Sequence, residues 1–238
     1  MEHSRGKSRQ KKWMGCIAFL LFLGALSWRT ETIAEAEGHQ TYRVFCMGDS
    51  ITYGKGLAEE ERLTSSYPSR LQQFLGAGYE VVNYGVSGKT LVDIPGRRYR
   101  DTGYVDMVKL QSPDVLVIML GTNDSRKECW DAEAYEVQYL ALIDELQQIE
   151  SHPEIYLMTP PRAYPGVDGK IIHGIDNDVI RDEIRGLVRG ISQQTGVRLI
   201  DLYAVTDRRP EYFADGVHPN REGYEAVARV VNHEIRNR

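Results

Sequence analysis

Five short apolar segments, each followed by a stretch with helical patterning, constrain this chain more than any other feature. The strand-like segments cover residues 41–47, 79–84, 114–120, 154–159 and 197–202. The third contains Val115-Leu116-Val117-Ile118-Met119-Leu120 with no polar alternation, the composition of a strand covered on both faces. Helices are predicted over residues 67–75, 104–110, 132–149, 178–195 and 220–235. Over 132–149, Tyr135, Tyr139, Leu142, Ile143 and Leu146 recur at helical spacing. In the last helix Tyr224, Val227, Ala228, Val231 and Ile235 share one face. Ser66 and Pro68 mark the start of the first helix and Gly76 its end. Strands alternating with helices, joined by right-handed crossovers, predict the α/β class: a three-layer α/β/α sandwich with a five-stranded parallel sheet, flavodoxin-like in kind.

The segment before residue 37 has another character. Arg5, Lys7, Arg9, Lys11 and Lys12 precede an apolar run from Gly15 to Trp28, and Ala34-Glu35-Ala36 reads as a small-x-small cleavage site. The run falls short of the ~20 residues of a spanning helix. Residues 1–36 are thus expected to be a signal peptide or an uncleaved N-terminal anchor, and residues 37–238 one exported domain. The localisation expected is secreted or extracytoplasmic. The chain holds 29 basic and 34 acidic residues, net −5. Residues 1–36 carry six of the former and three of the latter, so the remainder has 23 against 31, net −8. An acidic surface argues against a nucleic-acid partner, and against membrane partners beyond the anchor. Cys46 and Cys129 are too few for a disulfide framework and are expected as free thiols.

Four motifs follow the strands in order. Gly48-Asp49-Ser50-Ile51-Thr52-Tyr53-Gly54 places a serine just after the first strand. Asn83-Tyr84-Gly85 ends the second, Gly121-Thr122-Asn123-Asp124 follows the third, and Asp215-Gly216-Val217-His218-Pro219 precedes the last helix. Ligands of such sheets bind outside the carboxyl ends of the strands, where these segments would meet. A serine needs a base to become a nucleophile, and His218 offers one, with Asp215 three residues before it to fix its tautomer. Ser50 N–H, Gly85 N–H and the Asn123 amide are the expected donors to an oxyanion. Asp49 and Asp124 are expected to be structural.

At these residues the chain resembles the SGNH (GDSL) hydrolase superfamily, with Ser50, Gly85, Asn123 and His218 as the four signature types. The resemblance spans residues 43–235. It implies a serine esterase or lipase acting through a Ser50–His218–Asp215 triad and an acyl-enzyme, with no metal or organic cofactor. The surroundings of Thr159-Pro160-Pro161 and of Leu199-Ile200-Asp201-Leu202-Tyr203 are similar to carbohydrate O-acetylesterase members, which implies a short-chain, O-acetyl ester on a small-molecule or carbohydrate partner. A lysophospholipase or acyl thioesterase on the same fold is the enzyme alternative, and a glycan-binding module on a degenerate fold the non-enzyme one. The loop after the fourth strand starts at the same edge, so Arg162 and Tyr164 are expected to touch substrate, and His173 lies further along it. Asp176-Asn177-Asp178 is expected to cap a helix, and Arg97-Arg98-Tyr99-Arg100 to be a solvated run.

Overall fold

A computed structural model describes residues 41–237. The expectations for residues 1–36, signal peptide or anchor, lie outside the described residues. The described residues form one compact unit.

Strand β1 (Tyr42–Gly48) runs into a short helix α1 (Ser50–Tyr53), then α2 (Glu59–Ser65) and α3 (Tyr67–Leu75). Strand β2 (Tyr79–Gly85), helix α4 (Tyr104–Gln111), strand β3 (Val115–Met119), helix α5 (Ala132–Gln147) and strand β4 (Glu154–Met158) follow. Helix α6 (Asn177–Val179) passes through a π turn (Ile180–Ile184) into α7 (Arg185–Thr195). The chain ends with β5 (Arg198–Ile200), α8 (Leu202–Thr206) and α9 (Arg221–Arg236). The five strands are parallel, in the order β2-β1-β3-β4-β5. That is the flavodoxin-like order, whose direction reverses between β1 and β3.

Strand pleating divides the core. Phe45, Met47, Leu116 and Ile118 point to one face, where Tyr135, Tyr139 and Ile143 of α5 and Ile184 and Val188 cover them. Val44, Cys46, Val115, Val117 and Met119 point to the other, under Tyr67 and Leu71 of α3 and Tyr224, Val227 and Val231 of α9. β3 is buried at every position because it is central to the sheet and has a helix layer on each side. Each Val or Ile sealed in these layers contributes ~1.5–3 kcal/mol of burial.

Differences from the sequence reading sit at element ends. Ser66 holds the cap position of α3, but its hydroxyl pairs with Ser69 Oγ at 2.9 Å instead of a backbone N–H. β5 is shorter than expected because Asp201 caps α8 through the Ala204 N–H. The acid-rich α2 was not expected at all. The two cysteines are buried free thiols. Asp176 caps α6 by accepting from Asp178 and Val179 N–H, as expected. Of the arginine run, Arg98 pairs with Asp93 and Asp101 and Arg100 with Glu145, while Tyr99 is buried.

Candidate active site

The site lies at the carboxyl edge, where the order of the sheet reverses. Gly48 ends β1 where a Cβ would overlap Thr52 Oγ1 and crowd the Met119 carbonyl, so the chain turns sharply only with glycine there. Asp49 accepts from Ile51 N–H at 2.9 Å and caps α1, which sets Ser50 at the first helical position. Ser50 Oγ is 3.0 Å from His218 Nε2, and His218 Nδ1 is 2.8 Å from Asp215 Oδ2. Asp215 Oδ1 also accepts from the His218 N–H at 2.7 Å and the Val217 N–H at 3.0 Å, so one carboxylate fixes both ring and backbone. Ser50 and the Asp215–His218 turn lie far apart in sequence and form one hydrogen-bonded chain.

A separate device holds the histidine turn. Gly216 has φ +85°, and a Cβ there would overlap the Tyr164 carbonyl oxygen; Tyr164 N–H in turn donates to Gly216 O at 2.8 Å. The Tyr164 hydroxyl donates to Thr206 O at 2.6 Å and accepts from Arg209 N–H at 2.8 Å. Arg162 pairs with Asp207. Neither side chain lines the Ser50 cavity, contrary to expectation: both are committed to bracing the loop against α8. The residues that this connection contributes to the cavity are Ile175 and His173, the latter held at φ +59° with its ring 5.8 Å from that of His218.

The cavity beside Ser50 has a volume of about 250 Å³. Lys55, Gly88, Asn123, Arg126 and His173 share its wall with Ser50 and His218. Gly85 is absent from that wall. Its N–H is spent on Asn83 Oδ1 at 2.9 Å, and a Cβ on it would overlap the Tyr53 backbone nitrogen. Gly85 therefore serves close packing of β2 on α1. Three residues on, Gly88 has φ +79° and an N–H with no partner among the described residues. The Asn123 amide donates to Lys89 O at 2.9 Å, and its Oδ1 accepts from Arg126 Nη2 at 2.8 Å. Gly88, Lys55 and Arg126 were missed from sequence; the second glycine of Asn83–Gly88 was the one available signal.

Burial dominates the electrostatics. It pulls the His218 imidazole below its ordinary value, with His173 and Lys55 adding to the effect and Asp215 opposing it. Burial pushes Asp215 up, but its bonds from His218 and Val217 outweigh this and leave it below the usual range. Asp49 and Asp124 are fully enclosed, and burial raises them to about 6 and about 7. Asp124 accepts from both Leu91 and Val92 N–H at 2.9 Å, tying the loop after β2 to the loop after β3.

Residues 46–226 match the GDSL-like lipase/acylhydrolase family. An acetylxylan esterase of Xylanibacter ruminicola is 34% identical over 209 residues, covering 79% of this chain and 42% of that protein. The chain thus spans less than half the length of that relative. An acetylxylan esterase of Geobacillus stearothermophilus is 29% identical, over 81% of this chain and 93% of its own length. Among solved structures, a carbohydrate acetylesterase from Sinorhizobium meliloti has the same fold, with TM-score 0.69 and 20% identity over 82% of this chain and 99% of that one. With the sheet order and the motif blocks in agreement, the chain belongs to the GDSL-like lipase/acylhydrolase family and has the SGNH hydrolase fold.

Proposed function

We propose that the chain is a carboxylic ester hydrolase that removes short acyl groups, O-acetyl above all, from carbohydrate through a serine acyl-enzyme. The observation that carries this reading is the Ser50 Oγ–His218 Nε2 approach of 3.0 Å, continued from His218 Nδ1 to Asp215 at 2.8 Å. His218 takes the Ser50 proton as Oγ attacks the ester carbonyl, and Asp215 stabilises the imidazolium that results. The carbonyl oxygen becomes an oxyanion beside the Ser50 N–H, the Gly88 N–H and the Asn123 amide. In this reading Gly88 takes the role expected of Gly85. Each such donor contributes roughly 3–4 kcal/mol to the transition state. The imidazolium then protonates the departing alcohol. Water attacks the acyl-serine with His218 again as base, releasing the acid and free Ser50.

The acetyl preference draws support from the acetylxylan esterases named above. Residues 1–36 are read as a signal peptide or anchor that exports the domain of residues 37–238. The test is initial rates on p-nitrophenyl acetate, butyrate, octanoate and palmitate, with Ser50→Ala as control. Acetate is expected to be fastest, and the variant to lose at least ~10³-fold. Octanoate or palmitate on top would instead favour a lysophospholipase or thioesterase.

A further inference from the structure

Two cations in the wall of the Ser50 cavity lack a counter-ion. Arg126 is one. Apart from Arg236 in α9, every other described arginine pairs with a carboxylate. Arg126 Nη2 donates to Asn123 Oδ1, while its Nε is enclosed and has no partner. Burial, with Arg97 nearby, holds its guanidinium below the ordinary value. A charge taken from water without a partner is costly and is retained where something repays it.

Lys55 is the other. Its backbone is fixed: Lys55 N–H donates to Ser50 O at 2.9 Å, and Tyr224 Oη donates to Lys55 O at 2.6 Å. Lys55 is exposed, and its ammonium has no carboxylate partner among the described residues; Lys109, with Glu145, is the one described lysine that has such a partner. No acidic residue lines the cavity. Glu128 and Asp49 act on Arg126 through space, but Glu128 pairs with Arg97 and Asp49 caps α1; Asp215 is bonded to His218 and Asp124 to the Leu91–Val92 backbone. The chain as a whole is acidic, net −5. A cationic cleft in an acidic molecule focuses anions toward it.

We infer that the ester accepted here carries a carboxylate: the substrate class is an O-acylated acidic saccharide, a uronic or other sugar acid, received by Arg126 and Lys55. The inference rests on the esterase reading of the same site. Lys55 is near enough to His218 to act on its charge, and the alcohol departs on the His218 side, which is where the sugar must lie. Arg126 stands beside Asn123. A carboxylate bound between them supplies the missing counter-charge and turns the desolvation cost of Arg126 into selectivity for charged over neutral sugars.

The test compares methyl glucopyranoside with methyl glucopyranosiduronate, each acetylated at the same ring hydroxyl, and uses p-nitrophenyl acetate as a carboxylate-free reference. The uronate is expected to have a kcat/KM about tenfold higher, mostly in KM, with the advantage shrinking as salt rises. Lys55→Gln and Arg126→Gln are each expected to cut the uronate-to-neutral ratio several-fold, and Arg126→Lys to keep most of it. Equal kcat/KM on the two sugars, or preference for the neutral one, overturns the inference while hydrolysis of p-nitrophenyl acetate leaves the esterase reading standing. A loss in Arg126→Gln that is equal on both sugars and confined to kcat also overturns it, because Arg126 would then only steady Asn123. Failure of the wild type on p-nitrophenyl acetate would remove the esterase reading and this inference together.

Discussion

In the proposed reaction His218 is the base, and its environment makes a measurable claim. It must be neutral to accept the Ser50 proton. Burial lowers its pKa from 6.5, so the active form persists into mildly acid solution. The acid limb of kcat/KM is therefore expected to inflect below 6.5. An inflection above neutrality would point to another base. Asp124 makes the opposite kind of statement. Its pKa is raised by burial to about 7 in the folded chain, from 3.8. The folded state then holds the proton more tightly, so stability is fully present below 3.8 and is lost as pH rises through about 7. Asp124→Asn can keep the bonds that Oδ1 accepts from Leu91 and Val92. Thermal melts from pH ~4 to ~8 are expected to show the variant gaining on wild type as pH rises. A constant difference across that range would mean that Asp124 does not titrate in it.

At the scale of elements, the two glycines of the loop after β2 have different jobs. Gly85 allows β2 to pack on α1, and a Cβ there meets the Tyr53 backbone. Gly85→Ala is expected to destabilise the fold by ~1–3 kcal/mol, as overpacking does. Gly88 has open space around its Cβ position but a φ of +79°. Gly88→Ala is expected to remain folded while kcat falls, because the strain shifts the N–H that the proposed mechanism assigns to the oxyanion. Melting temperature and kcat measured on both variants separate the roles, and the reverse pattern would restore Gly85 as the donor. The difference between these glycines was not legible in the sequence. Both sit in Asn83-Tyr84-Gly85-Val86-Ser87-Gly88, and the choice depends on which N–H the Asn83 side chain takes. That Tyr164 and Arg162 stand off the Ser50 cavity was hidden for a related reason: loop position predicted nearness to the site, but their partners in and beside α8 were invisible. Strand and helix placement was legible because uninterrupted apolar runs and 3.6-residue stripes report burial directly. The π turn at Ile180–Ile184 carries no such signature.

For the molecule as a whole, sheet order explains why three of the four motifs, joined by Gly88 beyond the remaining one, become one site. β1 and β3 are neighbours at the point where the order reverses, so Ser50 and Asn123 flank a crevice that β2's loop and the turn before α9 close. The motif types foretold the Ser50–His218–Asp215 chain. The charges of the cavity were not foretold, because Lys55 and Arg126 are single residues in loops with no period to mark them. The central claim is that Ser50 is a nucleophile activated by His218. The most direct measurement is peptide-resolved mass spectrometry after titration with a fluorophosphonate, alongside residual p-nitrophenyl acetate hydrolysis. One adduct per chain on Ser50, rising in step with loss of activity and absent in Ser50→Ala, is the expected result. Full hydrolytic activity with Ser50 unlabelled, or an adduct on another residue that tracks the loss, would contradict the account.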